Sequence, residues 1–281
     1  TGIAERAAEN GVETVADFFS YDLAVELREK YGTAKYVTSH NACAHIDDLF
    51  DVVKGVEHWL AGDGVFVLEV GYLVDVYNNI WFDTIYHEHV DYHTVAPFER
   101  LFARVGMEVI AVDRISPQGG SIRVMVQKQG GVFERDSSVD ELITLEHELG
   151  LDRAETLCKF DNKISEVGEK LQNLIQSLKA DGETIAGFGA PTKATTLMAH
   201  FGLDEGVLDF IVDDNPLKQG LFTPITHIPV LSADALYERR PDYVLILAWN
   251  FSEPIMKMHI KYSDEIGQFI LPMPEPESEI V

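Results

Sequence analysis

Thr184-Ile185-Ala186-Gly187-Phe188-Gly189-Ala190-Pro191-Thr192-Lys193 is the stretch whose reading decides the fold. Its apolar opening reads as a buried strand over 184–188, and residues 192–201 carry helical spacing, so the glycines fall in a strand-to-helix turn. Glycine lets the backbone come close to a ligand there, and the free N–H groups of the first helical turn face it. Thr192 and Lys193 add a hydroxyl and a positive charge suited to phosphate, with Gly189 at the point of approach. The turn is neither a Walker loop nor a complete Gly-x-Gly-x-x-Gly fingerprint, because Thr192 stands at the third glycine position. A tight structural turn is the competing reading.

Working outward, the same alternation continues to the C-terminus. Strands are expected at 207–212, 243–247 and 269–271, with helices at 233–238 and 253–262 between them. Asp213-Asp214-Asn215-Pro216-Leu217-Lys218-Gln219-Gly220 follows a strand end and is placed to line the same cleft. Asn215 and Lys218 are its ligand candidates, against a capped surface turn. Upstream, Leu142, Leu145 and Leu149, then Ile164, Val167, Leu171, Ile175 and Leu178, keep helical spacing and predict two connecting helices over 134–180. Before them, strands are expected at 12–15, 35–39, 64–70, 108–115 and 121–128, the last two joined by the turn Ser116-Pro117-Gln118-Gly119-Gly120. Helices are expected at 21–31, at Ile46, Leu49, Phe50, Val53 and Leu60, and at Phe98, Leu101, Phe102 and Val105, the last closed by Gly106. Alternating units that end in an antiparallel pair suit an open, mostly parallel sheet with helices on both faces.

Forty-seven acidic against 22 basic side chains leave a net charge of −25, which argues against nucleic acid because phosphates need a basic footprint. The acid is spread along the chain and ends in Pro274-Glu275-Pro276-Glu277-Ser278-Glu279, which reads as a solvating surface. An anionic small ligand stays admissible, since a few local donors hold a diphosphate. No apolar run reaches membrane-spanning length and no signal-peptide pattern opens the chain. The two cysteines, Cys43 and Cys158, lack metal-like spacing and read as reduced thiols in a cytoplasmic protein.

Phe82-Asp83-Thr84-Ile85-Tyr86-His87-Glu88-His89-Val90-Asp91-Tyr92 is the densest chemistry in the chain. It lies past the C-terminal end of the strand expected at 64–70, where ligands gather in open α/β sheets. A histidine or carboxylate can remove a proton, and a tyrosine can donate to an oxygen on which charge develops. His-x-His spacing can also chelate, but a third obvious ligand is missing, and no metal site is assigned. An ordinary polar loop is the remaining reading. Asn41 and His45, in Asn41-Ala42-Cys43-Ala44-His45, also follow a strand end and can touch a ligand, although N-capping of the next helix is the simpler role.

Together these segments resemble the S-adenosylmethionine-dependent sugar C-methyltransferases. The matches are Asn41 with Ala44-His45-Ile46, the block 82–89, Gly119-Gly120-Ser121-Ile122-Arg123, the turn 187–193 and the loop 213–220, in order along almost the whole chain. The resemblance implies methyl transfer from S-adenosylmethionine to the C3 carbon of a nucleotide-linked 4-ketosugar. It implies that His89, with Glu88 as the competing choice, removes the C3 proton, and that Tyr86 or His87 stabilises the enolate oxygen. Asn41 and His45 then face the cofactor, and Gly189, Thr192, Lys193, Asn215 and Lys218 the nucleotide-linked sugar.

The implied fold is α/β: a truncated Rossmann-like methyltransferase sheet over 1–133, connecting helices over 134–180 and a second Rossmann-like domain over 181–281. The family's cysteine-rich segment, its Glu-x-Gly-x-x-x-Gly loop and the acid after its second strand have no counterpart, because Thr1-Gly2-Ile3-Ala4 aligns with a later helix. Gln118 replaces a histidine and Ala194 a glycine. The strand at 35–39 is therefore expected to carry an unpaired edge, which invites a homo-oligomer or a rearranged N-terminal region. Two rival functions remain: a sugar-nucleotide-binding protein without methyl transfer, and a nicotinamide-dependent oxidoreductase using Asp209 or Asp213 as the ribose acid.

Overall fold

The computed structural model describes residues 2–279. In chain order its elements are α1 (Gly2–Glu9), α2 (Tyr21–Tyr31), β1 (Ala34–His40), α3 (Leu49–Trp59), β2 (Leu60–Gly71), α4 (Leu73–Asn79), α5 (Val95–Ala103), β3 (Met107–Ile115), β4 (Ser121–Lys128), α6 (Ser137–Leu149) and α7 (Ala154–Ala180). There follow β5 (Ile185–Phe188), α8 (Thr192–Phe201), β6 (Ile211–Val212), β7 (Val230–Leu231), α9 (Asp234–Arg239), β8 (Tyr243–Ile246), α10 (Ser252–Met258), α11 (Ile260–Glu265), β9 (Gln268–Leu271) and β10 (Glu277–Glu279). The chain divides into two compact units: Thr1–Val70, His93–Ile115 and Ile122–Leu145 form one, and Gly71–Tyr92, Ser116–Ser121 and Glu146–Val281 the other.

The first unit is built on a four-stranded sheet in the order β1-β2-β4-β3. β1 and β2 are parallel and joined through α3, whose N-terminus Asp48 caps by accepting the Asp51 amide. A parallel strand buried on both faces needs a near-continuous apolar run, and Val65, Phe66, Leu68 and Val70 supply it. Phe66 packs edge-to-face on Phe102 of α5, which is buried beside Phe98. β1 lies at the sheet edge, as expected for the strand at 35–39.

The second unit carries a six-stranded sheet in the order β10-β9-β8-β5-β6-β7, parallel except for β10. From β5 the chain steps outward to β6 and β7, then returns to β8 and β9 on the other side. The strand order therefore reverses between β5 and β8, the place where open α/β sheets form a ligand crevice. One face of the sheet is covered by α7, whose buried residues Phe160, Ile164, Val167, Leu171, Ile175 and Leu178 recur every three or four positions. Full burial of each such aliphatic side chain contributes about 1.5–3 kcal/mol. Gly168 on this stripe brings α7 close to α8: an added Cβ would lie 2.7 Å from the Phe201 ring.

Several expectations change. Residues 12–15 form no strand; Val12 and Val15 are exposed, and no neighbouring strand offers them a ladder. Leu60 begins β2 instead of extending α3. The helix expected at 253–262 is broken at His259, which leaves helical backbone angles and buries its ring against Phe188 and Tyr237. The acidic tail is more than a solvating surface, because its backbone adds β10 antiparallel to β9.

Candidate active site

The loop after α4 is seated on the doubly wound unit by its own first residues. Trp81 stacks on Trp249 with ring centroids 4.7 Å apart, and Phe82 packs on His200 and Phe201 at the end of α8. Asp83 is fully buried and its Oδ2 accepts the Trp249 indole N–H at 2.6 Å. Residues Phe82–Thr84 form a single 3-10 turn, which directs the Thr84 carbonyl toward the rest of the loop. That carbonyl lies 2.7 Å from His89 Nδ1 and accepts the Tyr92 hydroxyl at 2.7 Å.

A carbonyl can only accept, so His89 Nδ1 carries the hydrogen and Nε2 of the neutral ring is left as the basic nitrogen. Nε2 stands 3.3 Å from the Tyr86 hydroxyl, and the two rings lie 4.4 Å apart. Burial, then the charges of Glu88 and Asp83, push the Tyr86 phenol above its ordinary range, so it stays a donor at neutral pH. His87 and Glu88 are 83% and 54% exposed and approach each other only to 4.0 Å. The loop thus brings Tyr86 and His89 together and leaves His87 and Glu88 facing solvent.

The glycine pair before β4 supports the same loop. Gly119 has φ +93°, and an added Cβ would lie 2.8 Å from the Trp81 ring; at Gly120 it would lie 2.5 Å from Asp75. Within the first unit's sheet, Arg123 on β4 donates to Glu69 on β2 at 2.9 Å, and its guanidinium holds that carboxyl below its ordinary range. Asn41 follows β1 in a left-handed conformation (φ 50°) with its amide on the Glu69 carbonyl, and His45 sits on the 3-10 turn Cys43–His45. Asn41 is therefore no helix cap; Asp48 has that role for α3.

The turn after β5 is engaged differently. Gly189 has φ +88°, and an added Cβ would lie 2.5 Å from that of Ala248, so the glycine is required by close packing at the crevice. Its amide donates to Val212 at 2.7 Å, and the Ala190 amide to Asp213 at 2.8 Å. Asp213 also accepts the Asn215 amide and the Lys218 ammonium, at 2.8 and 3.0 Å. Burial raises the Asp213 carboxyl, but these donors outweigh it and hold it below the ordinary aspartate range. A carboxylate so fully engaged is not offered to a ribose, which leaves Asp209 as the acid that a nicotinamide reading would need. Asn215 Oδ1 accepts the Leu217 amide at 3.0 Å, so Asn215 caps the turn within the loop 213–220.

Beside this turn lies a cavity of about 260 Å³ lined by Thr192, Thr195, Met198, Lys218, Phe222 and Pro224, among others. Of the five expected substrate contacts, Thr192 and Lys218 meet there. Gly189 and Asn215 shape the turns that carry them, and Lys193 turns elsewhere, its Nζ 3.5 Å from the centroid of the Trp249 ring. Sequence reasoning missed Asp83, Trp81 and Trp249. Asp83 lay within the block already singled out, whereas Trp249 belongs to no motif. Among the described residues no cluster of His, Cys, Asp and Glu is arranged to hold a metal, and no helix is long and apolar enough to cross a membrane.

A doubly wound α/β unit with a histidine-tyrosine loop seated on it defines a Rossmann-like protein. The family described as the C-methyltransferase C-terminal domain matches residues 116–274, more than half of the chain, and the chain belongs to it. C-methyltransferase NovU of Streptomyces niveus is 35% identical over 274 residues, which cover 98% of this chain and 65% of NovU. The chain thus spans about two thirds of that relative's length. Among solved structures, the complex between the Haloferax volcanii Trm112 methyltransferase activator and a methyltransferase overlaps 34% of this chain and 55% of the matched one, at 15% identity and a TM-score of 0.30. LepI bound to SAM overlaps 34% of this chain and 27% of its own, at 11% identity and a TM-score of 0.29.

Proposed function

We propose that this chain carries out S-adenosylmethionine-dependent C-methylation of a nucleotide-linked ketosugar, with His89 as the base. The observation that carries the reading is the Thr84 carbonyl on His89 Nδ1, which leaves Nε2 basic beside the Tyr86 hydroxyl. His89 Nε2 takes the proton from C3, next to the C4 ketone. The electron pair of that C–H bond moves into the ketone as an enolate, and the Tyr86 hydroxyl donates to its oxygen. Bound S-adenosylmethionine supplies a methyl on a sulfonium, an electrophile for the C3 carbon; the S–CH₃ bond breaks as the C–C bond forms, and S-adenosylhomocysteine is left. Asn41 and His45, at the C-terminal end of β1, are the cofactor contacts in this reading.

Thr192 and Lys218 hold the nucleotide part in the cavity between α8 and the loop 213–225, where a hydroxyl, an ammonium and the exposed Phe222 ring converge. Two free thiols accord with the cytoplasm. The β1 edge pairs with a second copy, and light scattering that finds only monomer removes that part.

Calorimetric titration with S-adenosylhomocysteine, a sugar diphosphonucleotide and NADH tests the whole. Binding of the first two is expected. The second alone makes the chain a sugar-nucleotide-binding protein, and NADH alone an oxidoreductase. His89→Asn is expected to abolish methyl transfer and leave sugar-nucleotide binding intact; retained activity takes His89 out of the base role.

A further inference from the structure

Asp83 is a carboxylate on the reaction loop that the chemistry above does not use. It is fully buried, three residues before Tyr86 and six before His89. Oδ2 holds the Trp249 indole, while Oδ1 has no hydrogen-bond partner among the described residues. The same indole ring supports the Lys193 ammonium and stacks on Trp81. Burial disfavours the charged form of Asp83, one of whose oxygens has no hydrogen-bond partner among the described residues, and also that of the half-buried Lys193 ammonium, which the Trp249 ring face offsets in part. Burial pushes the Asp83 acid up to about 6 and the Lys193 ammonium down to about 8, and in each case the other's charge opposes the shift. Perturbed pairs of this kind concentrate at functional sites.

The geometry ties this pair to the base. Asp83 is the central residue of the turn Phe82–Thr84, and the carbonyl that orients His89 belongs to the next residue. We propose that Asp83, held electrostatically by Lys193 and by hydrogen bond to Trp249, is a positioning residue: it fixes this turn so that Thr84 presents His89 with Nε2 unprotonated. The inference rests on His89 being the base of the methyl transfer. It also gives Lys193 a place in the machinery that is not a phosphate contact.

The test uses the full-length protein and two variants. Asp83→Asn keeps an acceptor for the indole and removes the charge, and Lys193→Met removes the opposing charge. Each is expected to lower kcat at least 30-fold while KM for the sugar nucleotide moves less than threefold. Nitrogen-15 spectra of the histidine side chains, assigned with His89→Asn, are expected to show one Nδ1–H tautomer in the wild type and a mixture in both variants. Trp249→Phe, which removes the donor to Oδ2 and keeps a smaller ring facing Lys193 and Trp81, is expected to act in the same direction and serves if either charge variant does not fold. A raised KM with unchanged kcat in Lys193→Met makes that lysine a phosphate ligand and overturns the proposal, as does a wild-type tautomer in the variants. A wild type that binds S-adenosylmethionine yet methylates nothing overturns the reading beneath it, which the tautomer spectra separate from failure of the positioning role.

Discussion

In the loop 81–92 the hydrogen bonds run from side chains into one backbone carbonyl, that of Thr84; in the turn 187–193 they run from backbone amides into β6 and Asp213. The first arrangement orients reactive groups and leaves their working atoms outward. The second satisfies the donors that a phosphate would have used and leaves a hydroxyl, Thr192, and a neighbouring ammonium, Lys218, at the rim of a cavity. Two segments of equal chemical richness are thus built differently, one around the orientation of side chains and one around backbone packing at the sheet crevice.

The sharpest way to break this contrast is to exchange the effects. His89→Asn is expected to cut kcat by about 10²–10⁴, the usual contribution of a general base, with no change in melting temperature. Gly189→Ala is expected to do the reverse, destabilising by about 2–3 kcal/mol through a forbidden φ and a Cβ 2.5 Å from Ala248, with denaturant unfolding as the readout. Equal stability of the two variants would erase the distinction.

A smaller effect is expected at the cavity rim, where Thr192→Ala or Lys218→Ala should weaken sugar-nucleotide binding about tenfold, each losing about 1.5 kcal/mol of hydrogen bonding. Calorimetric affinities equal to wild type would move the nucleotide elsewhere.

The smallest effect is on stability against pH. Between about pH 4 and 6 the folded chain binds the Asp83 proton more tightly than the unfolded chain does, so stability falls as pH rises through that window. Between about pH 8 and 10 the unfolded chain retains the Lys193 proton that the folded chain releases, so stability recovers. The double variant Asp83→Asn/Lys193→Met is expected to melt a few degrees higher than wild type between these windows and to lack the trough. An unchanged trough would assign it to other groups.

Much of this was legible in the sequence because it is local. The bounds of α8 and the apolar stripe of α7 follow from spacing alone, and Tyr86 and His89 stand out by residue type. What was not legible depends on distant partners. β7 has two residues and no readable period, and exists because β6 lies beside it. Residues 12–15 have strand chemistry but no ladder. Asp83 and Trp249 are 166 positions apart, so the indole that anchors the loop carries no mark of it. The glycines were legible as special, but Gly189 was read as a point of ligand approach and Gly119 as a turn residue, where packing against Ala248 and Trp81 adds the reason.

The chain passes between its two compact units five times, and the segment bearing His89 is one of the excursions, assigned with the C-terminal half although it is encoded amid the N-terminal one. Recombination at a single point would therefore separate the histidine from the tryptophan that seats it. A chimera that keeps His89 with Trp249 would have to move Gly71–Tyr92 and Ser116–Ser121 along with everything after Glu146. In such a protein the unit of inheritance is a discontinuous one.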